Sequence, residues 1–534
     1  MDDINPIDKN SISKDFVLEA LTRWNYFPTQ KKENEYTPLL HSKSFTPLVT
    51  KELSNLNLTK NELKYGFDQV EFRLTRHNST SRILSIPHPH AYAILCHTLF
   101  ENLDKIESAT QIYKNENSII KPSQDYGDKI ITMDYEDPLE KTNRLVEQSF
   151  GKKFMVKADI SNCFPSIYTH ALPWALVGFE HAKANRSKDL WFNKLDTNLR
   201  TIKRGETQGI GIGPAISNFI AEIILSKIDQ ELRQKYAYYR YIDDYTCYAK
   251  DHSEAISFIY DLENQLKRFK LTLNPRKTEI LELPSSNACS WVIELQSRSP
   301  IGYLTTESNE TISIKHSARD VIRHLELALH LNKKDPDGSV LKFAAKSVMH
   351  RLDSDAKEPF THYLLNLSFT YPHLLPLLDS ILSDSEVNAE KYTRHLNDIL
   401  LENYHLGRSD GMCWPLYYIH KHKLKLENKN AEAIVKSQDC TALLLLEHFE
   451  SYHGASIPLI DSLEEGYDQH RYWLLTYQLL KWGRLAEKHL TPAYEVMLKH
   501  EVSFSALDQQ TGHSEQQFEA MKIQALFSEE QLPF

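Results

Sequence analysis

Glycine is scarce in this 534-residue chain: 16 glycines against 22 prolines exclude collagen-like and low-complexity architectures. Cysteine is scarcer still. The six, at positions 96, 163, 247, 289, 413 and 440, contain no C-x-x-C pair and no metal-ligand spacing, which excludes a disulfide scaffold and predicts a reducing compartment. The histidine pairs His88/His90 and His420/His422 have no third ligand at a recognisable spacing, which argues against zinc. No apolar run approaches the roughly 18 residues of a membrane span. The opening MDDINPIDKNSISKD is polar and acidic, where a secretion signal is basic and then apolar. A soluble cytoplasmic protein with no membrane partner is the expectation. Positive charge is in deficit too, with a formal net charge of −10, so nucleic acid is not bound by the surface as a whole; a local basic channel stays open.

What is present is a chain long enough for two or three domains, 41% hydrophobic and able to bury a large core. Residues 1–70 read as short helices joined by polar loops. From 71, FRLTRH and RILSIP alternate as a hairpin does, and HAYAILCHTLFENL has apolar residues at helical spacing. PLEKTNRLVEQSF (138–150) is a predicted helix leading into the strand KKFMVKADI. A helix near 169–178, a glycine-rich loop and a long amphipathic helix over 214–234 follow, the last with Ile216, Phe219, Ile220, Ile223, Ile224 and Ile228 on one buried face. A hairpin (236–250), a helix (252–268) and a strand (278–283) complete a unit of strands with helices packed on one face, which is an α+β sheet domain. Beyond about 310 the pattern is helix after helix with short polar links, as in a solenoid of stacked pairs, although no clean repeat is present and an irregular all-α domain is the alternative. The expected division is therefore 1–70, 71–310 and 311–534.

Chemistry concentrates in YRYIDDYTCYAK (239–250), where Asp243 and Asp244 interrupt an aromatic, β-prone run. Neighbouring side chains on a strand point to opposite faces, so two adjacent acids serve one site only if the chain reverses there. A hairpin tip at Ile242-Asp243-Asp244-Tyr245 would supply the reversal. Upstream, the strand FMVKAD ends at Asp159. Acids at the ends of neighbouring strands suit hard divalent cations, and two Mg2+ ions, or Mn2+ in their place, can activate a 3′-hydroxyl and stabilise leaving pyrophosphate. Between the acids lies TQGIGIGPAISNFIAEIIL, in which Gln208 offers an amide and Gly209, Gly211 and Gly213 allow the backbone to approach a base or template strand.

The order strand–Asp159…Phe164, Gln208-Gly209…Gly213-Pro214, Tyr241-Ile242-Asp243-Asp244 and Asn274-Pro275-Arg276-Lys277-Thr278 resembles the palm of reverse transcriptases, motif for motif. The resemblance implies right-hand fingers and palm, with Asp159 and Asp243 as metal-binding aspartates and Asp244 as the adjacent supporting acid. Phe164 matches the gate that selects dNTPs over rNTPs, with Gln208 and Gly209 at the nucleotide. Lys277 matches the lysine near the leaving pyrophosphate, and Arg73, Arg76 and Arg82 fall where fingers contact the incoming triphosphate. Trp291 to Leu295 occupies the place of a primer-grip turn.

Two departures stand out: QGIGIGPAIS replaces the usual Gln-Gly-x-Pro-x-Ser-Pro, and the helical array follows where a thumb would. This combination, with GRSDGMCWPLYYIHKH (407–422) and DCTALLLLEHF (439–449), is similar to the bacterial abortive-infection (AbiA- and AbiK-type) and defence-associated reverse transcriptases. That family implies anti-phage defence and DNA synthesis from dNTPs without a conventional RNA template. It also implies an oligomer, a non-coding RNA or a second reverse-transcriptase subunit as partner. Two rival readings are a palm that makes RNA or a cyclic nucleotide, and a scaffold or sensor whose helical half binds a partner.

Overall fold

Two alternating runs pair as an antiparallel hairpin, β1 (Gln69–Thr75) with β2 (Ser81–Pro87), in a register that sets Leu74 opposite Arg82 and Arg73 opposite Ile83. The computed structural model describes residues 14–27, 36–76, 80–120, 138–285, 289–306, 312–334, 336 and 338–506. The opening 13 residues, part of the expected N-terminal helical segment, and the hairpin tip at 77–79 lie outside them.

The central sheet has four antiparallel strands in the order β4 (Tyr238–Tyr241), β5 (Asp244–Ala249), β3 (Phe154–Asp159), β6 (Glu279–Glu282). β3 lies in the middle, with Met155, Val156, Ala158 and Asp159 all buried. The helix His252–Arg268 starts where Asp251 accepts the Glu254 N–H at 2.9 Å, and lays Ala255, Phe258, Leu262 and Leu266 into the core. It packs on β3, on β5 and on the helix Ala215–Leu232. That second helix differs from its expectation. It is buried on nearly every side, with Ser217, Asn218, Glu222, Ser226 and Asp229 enclosed beside the isoleucines, because protein covers the face that solvent was expected to cover.

After a short hairpin, β7 (Tyr303–Thr306) with β8 (Ile312–Lys315), which extends strand structure past 310, every described element from Ala318 on is helical. The architecture is thus α+β followed by an all-helical half. The two are welded at the free edge of β1. Ser409 Oγ accepts the Arg73 N–H at 2.8 Å, and Asp410 accepts the Thr75 N–H at 2.8 Å and the Thr75 hydroxyl at 2.9 Å. Asp410 also accepts the Gly411 N–H at 2.8 Å. The first turn of the helix Ser409–Lys421 therefore supplies the hydrogen-bond partners that an edge strand leaves open. Gly411 allows this placement: a Cβ there would stand 2.1 Å from Asn403 Cγ on the preceding helix.

The early and late segments meet as well. Tyr26, Phe27 and Phe45 pack with Trp473, Tyr477 and Phe504 in one aromatic cluster. Ser44 Oγ donates to the Ser503 carbonyl at 2.8 Å, and Trp473 Nε1 reaches the Ile86 carbonyl of β2 at 3.2 Å. Among the described residues no helix is long and apolar enough to cross a membrane.

Candidate active site

The β4–β5 register pairs Tyr241 with Asp244, and the β3–β5 register pairs Asp244 with Asp159. The central turn residues are therefore Ile242 and Asp243, one position earlier than the expected tip, because Asp244 is claimed by strands on both sides. Ile242 takes a φ of 56°, a left-handed conformation that costs a β-branched residue about 1–2 kcal/mol. The Asp243 carbonyl accepts the Ile160 N–H at 3.1 Å, so the turn is stitched to the end of β3. Asp159, Asp243 and Asp244 share one patch.

The segment after the helix 252–268 closes on this patch. Asn274 Nδ2 donates to Asp159 Oδ1 at 3.1 Å, Lys277 Nζ to Asp159 Oδ2 at 2.7 Å, and the Asn274 N–H to the Asp159 carbonyl at 2.7 Å. The bond to Asp159 raises the pKa of the Lys277 ammonium, whose side chain is still 63% exposed and free to swing. Burial and then the Asp159 charge push the Asp243 carboxyl up, against the opposing charges of Lys277 and Arg82. Asp244 is pushed up to about 7, first by the protein packed around it, then by the Asp243 charge and by a hydrogen bond with Asp159, although its outer surface meets solvent.

Among the described residues no three of His, Cys, Asp and Glu form a ready-made metal cage. The aspartates nonetheless fit a divalent cation. Their mutual repulsion favours protons where no cation neutralises them, and Mg2+ typically takes only one or two carboxylates together with substrate phosphates.

Phe164 lies on the short helix Cys163–Ser166 just past β3 and is 8% exposed, with its carbonyl accepting the Ile210 N–H at 3.0 Å. Gln208 and Gly209, expected at the nucleotide, pack against the segment that carries Phe164. The Gln208 amide donates to the Ser166 carbonyl at 2.9 Å, and a Cβ on Gly209, at φ 79°, would stand 2.9 Å from the Pro165 carbonyl. A Cβ on Gly211 would likewise stand 2.9 Å from Gln69 Oε1 and from Ser85 Cβ. The close approach that these glycines permit is filled by the chain itself, which braces the segment carrying Phe164.

The three arginines separate. Cross-strand partners share a face of a sheet, so Arg82 sides with Leu74, and Arg73 with Ile83 on the opposite face. Arg82 acts on Asp243 through its charge, and its Nε is buried without a hydrogen-bond partner. Arg76 lies beside it, its pKa lowered by burial and then by Arg82. Arg73 turns away, 3.7 Å from Glu71 and with Nη1 against Gly407 of the helical half. Trp291 to Leu295, expected as a turn, is part of the helix Ser290–Ser297, with Trp291 and Leu295 buried and Trp291 edge-on to Phe343. The apolar pair at a spacing of four is the helical signal there.

One cluster went unread in the sequence. Arg240, 0% exposed, donates through Nη1 to Glu222 Oε1 at 2.8 Å and through Nη2 to Glu222 Oε2 at 3.0 Å and Asp229 Oδ2 at 2.7 Å. Its Nε reaches Asp229 at 3.1 Å, and Nη1 also reaches the Ile242 carbonyl at 2.9 Å. Tyr238 Oη and Asn115 Nδ2 complete the shell of Asp229 at 2.6 and 2.7 Å. The available signal was Glu222 and Asp229 among the isoleucines of a largely buried helix, with an arginine just ahead of the Asp pair.

Residues 95–308 match the family model for reverse transcriptase (RNA-dependent DNA polymerase). The stretch includes Asp159, Asp243, Asp244 and Lys277 and begins after the β1–β2 hairpin. Solved structures similar to the chain include telomerase from Candida albicans in complex with a TWJ fragment of telomeric RNA, at 12% identity, 78% of this chain, 68% of that one and a TM-score of 0.28. Apo telomerase from Candida tropicalis matches at 11% identity, 76% of this chain, 74% of that one and a TM-score of 0.30. The form of the latter truncated from its C-terminal domain matches at 11% identity, 49% of this chain, 56% of that one and a TM-score of 0.29. No curated protein matches the chain in sequence. The chain carries a reverse-transcriptase domain, and the enzyme class is that of the RNA-directed DNA polymerases.

Proposed function

We propose that this protein is a Mg2+-dependent DNA polymerase of reverse-transcriptase type that serves bacterial anti-phage defence and does not need a conventional RNA template. The observation that carries the catalytic reading is the single patch in which Asp159, Asp243 and Asp244 meet Lys277 on one side and feel the charge of Arg82 on the other. Asp159 and Asp243 hold the cations, with Asp244 supporting them. When bound, Mg2+ would lower the pKa of the attacking 3′-hydroxyl and stabilise the leaving pyrophosphate.

The chain's own residues do the rest. Lys277, drawn to Asp159 while the site lacks substrate, is long and exposed enough to turn toward the pyrophosphate and offset its charge. Arg82 and Arg76 bring two cations to the face of the hairpin that meets the triphosphate. Phe164, braced by Gln208 and Gly209, presents a ring to the sugar and excludes a 2′-hydroxyl. The defence role rests on the likeness of the helical half to the abortive-infection group, which also suggests a non-coding RNA, a second polymerase subunit or further copies of the chain as partners. The three-part division at about 70 and 310 belongs to the same proposal.

The test is to incubate purified protein with Mg2+ and each labelled dNTP and rNTP, without added template, beside Asp243→Asn. Polymer made from dNTPs by the wild type alone is the expected result. Equal incorporation by Asp243→Asn would overturn the assignment, and a preference for rNTPs would hand the site to an RNA-making activity. Phage plating on cells carrying either form checks the defence role, which requires protection to disappear with the aspartate.

A further inference from the structure

We infer that Arg240 is a positioning residue for Asp243, and that the buried cluster it forms with Glu222 and Asp229 sets the affinity of the site for divalent cations. The inference rests on the reading of Asp243 as a metal ligand. Arg240 touches neither cation nor substrate. It acts through the Ile242 carbonyl, which it holds at 2.9 Å.

The two peptides that flank Asp243 are each pinned. The Ile242 carbonyl is held by Arg240, and the next carbonyl, that of Asp243, accepts the Ile160 N–H at 3.1 Å. The direction of the Asp243 side chain follows from the planes of those peptides, and the planes depend on Ile242 staying at φ 56°. Isoleucine does not choose this conformation, so surrounding structure has to impose it.

The guanidinium is suited to the task because it cannot move. A guanidinium has five N–H groups, and all have acceptors here: Nε on Asp229, Nη1 on Glu222 and the Ile242 carbonyl, Nη2 on Glu222 and Asp229. Both acids come from one helix, Ala215–Leu232, and are 1% exposed as side chains. The turn is thereby referenced to a helix buried along most of its length. Lysine could not reproduce the fork, since a single ammonium cannot bridge two carboxylates and a carbonyl in one plane.

The experiment measures Mn2+ binding to the full-length protein by electron paramagnetic resonance, with no nucleotide present, alongside circular dichroism and thermal melting. Asp243→Asn identifies the signal that belongs to the site. Arg240→Lys is expected to weaken that binding about 10-fold or more, in the range seen for residues that orient metal ligands. Adding Ile242→Gly to it should recover at least part of the loss, because glycine adopts positive φ without being forced. A purely structural arginine would show no such rescue.

Should Arg240→Lys fail to fold, a triple variant, Arg240→Met, Glu222→Met, Asp229→Leu, replaces the cluster with apolar groups and leaves no charge unpaired. It is expected to melt cooperatively yet bind Mn2+ as weakly as Arg240→Lys. Wild-type Mn2+ affinity in either folded variant, or no recovery from Ile242→Gly, overturns the inference. A wild type that binds Mn2+ through Asp243 but makes no polymer defeats the polymerase reading alone. A wild type that binds no Mn2+ overturns the inference and leaves the polymerase reading to the incorporation assay.

Discussion

Replacing Asp410 with asparagine should change the stability of the molecule by an amount that depends on pH. Asp410 is 1% exposed and accepts three hydrogen bonds, from the Thr75 N–H, the Thr75 hydroxyl and the Gly411 N–H. Burial pushes its pKa from the ordinary 3.8 up to about 6, with the bonds from Thr75 and Gly411 and the Arg408 charge pulling the other way. A carboxyl whose pKa is raised by folding contributes stability that is fully present below its unfolded pKa and is lost as pH rises through the folded one. At about 1.36 kcal/mol per pH unit the interval is worth about 3 kcal/mol, of which about 2.5 falls between pH 4 and 7. Asparagine does not titrate. Urea denaturation of wild type and Asp410→Asn, followed by far-ultraviolet circular dichroism across that range, should show the advantage of the wild type shrinking by about that amount. A difference constant to within about 0.5 kcal/mol would refute the account of Asp410 as a desolvated acceptor holding the edge of β1.

The opposite faces of the first hairpin make a second prediction. Arg82→Ala should raise the KM for dNTP by about 10-fold or more, the worth of one charged hydrogen bond to phosphate, while Arg73→Ala should change it less than about twofold; equal effects would refute the facial assignment. Phe164→Ala should admit rNTPs at the expense of discrimination, read as the ratio of kcat/KM for dNTP and rNTP. The pKa of the carboxyl of Asp243 is raised, and that of Asp244 is raised to about 7, so their contribution to stability is present at low pH and lost as pH rises toward neutrality. Mg2+ takes the place of those protons. Adding it should therefore raise Tm more at pH 8 than at pH 5.5, and Asp244→Asn should flatten the difference.

Much of the sheet domain was legible because its signals are local or ordered. The helix 252–268 announces itself through Asp251 and the spacing of Phe258, Leu262 and Leu266, and it lies at the expected residues. The acids at 159 and 243–244 were readable as strand ends carrying charge, and the registers bring them together. What was not legible depends on distant partners. Nothing near Ile242 announces a positive φ, since the carbonyl's anchor is an arginine that is itself fixed by acids up to 18 residues away. Ser409 and Asp410 read only as part of a family-like signature, without a structural role, because the backbone they cap lies more than 330 residues earlier. Of the three arginines the sequence favoured Arg82, which precedes the apolar ILSIP, and the cross-strand register adds that Arg73 lies on the opposite face. Gly209 and Gly211 read as positions of close backbone approach, but no local pattern names Pro165 and Ser85 as neighbours that crowd them.

The contact between Ser44 and Ser503 spans 459 residues, and that separation has a temporal side. A ribosome adding about 5–20 residues per second needs roughly 20–90 s to travel it. Throughout that time Tyr26, Phe27 and Phe45 lack Trp473, Tyr477 and Phe504, the rings that bury them in the finished molecule. The four-stranded sheet, whose strands lie between 154 and 282, can assemble long before. Until then Tyr26 and Phe27 have only nearby rings such as Tyr92 and Tyr36 to pack on, so completing this part of the core is a non-local event that must follow synthesis of the sheet strands.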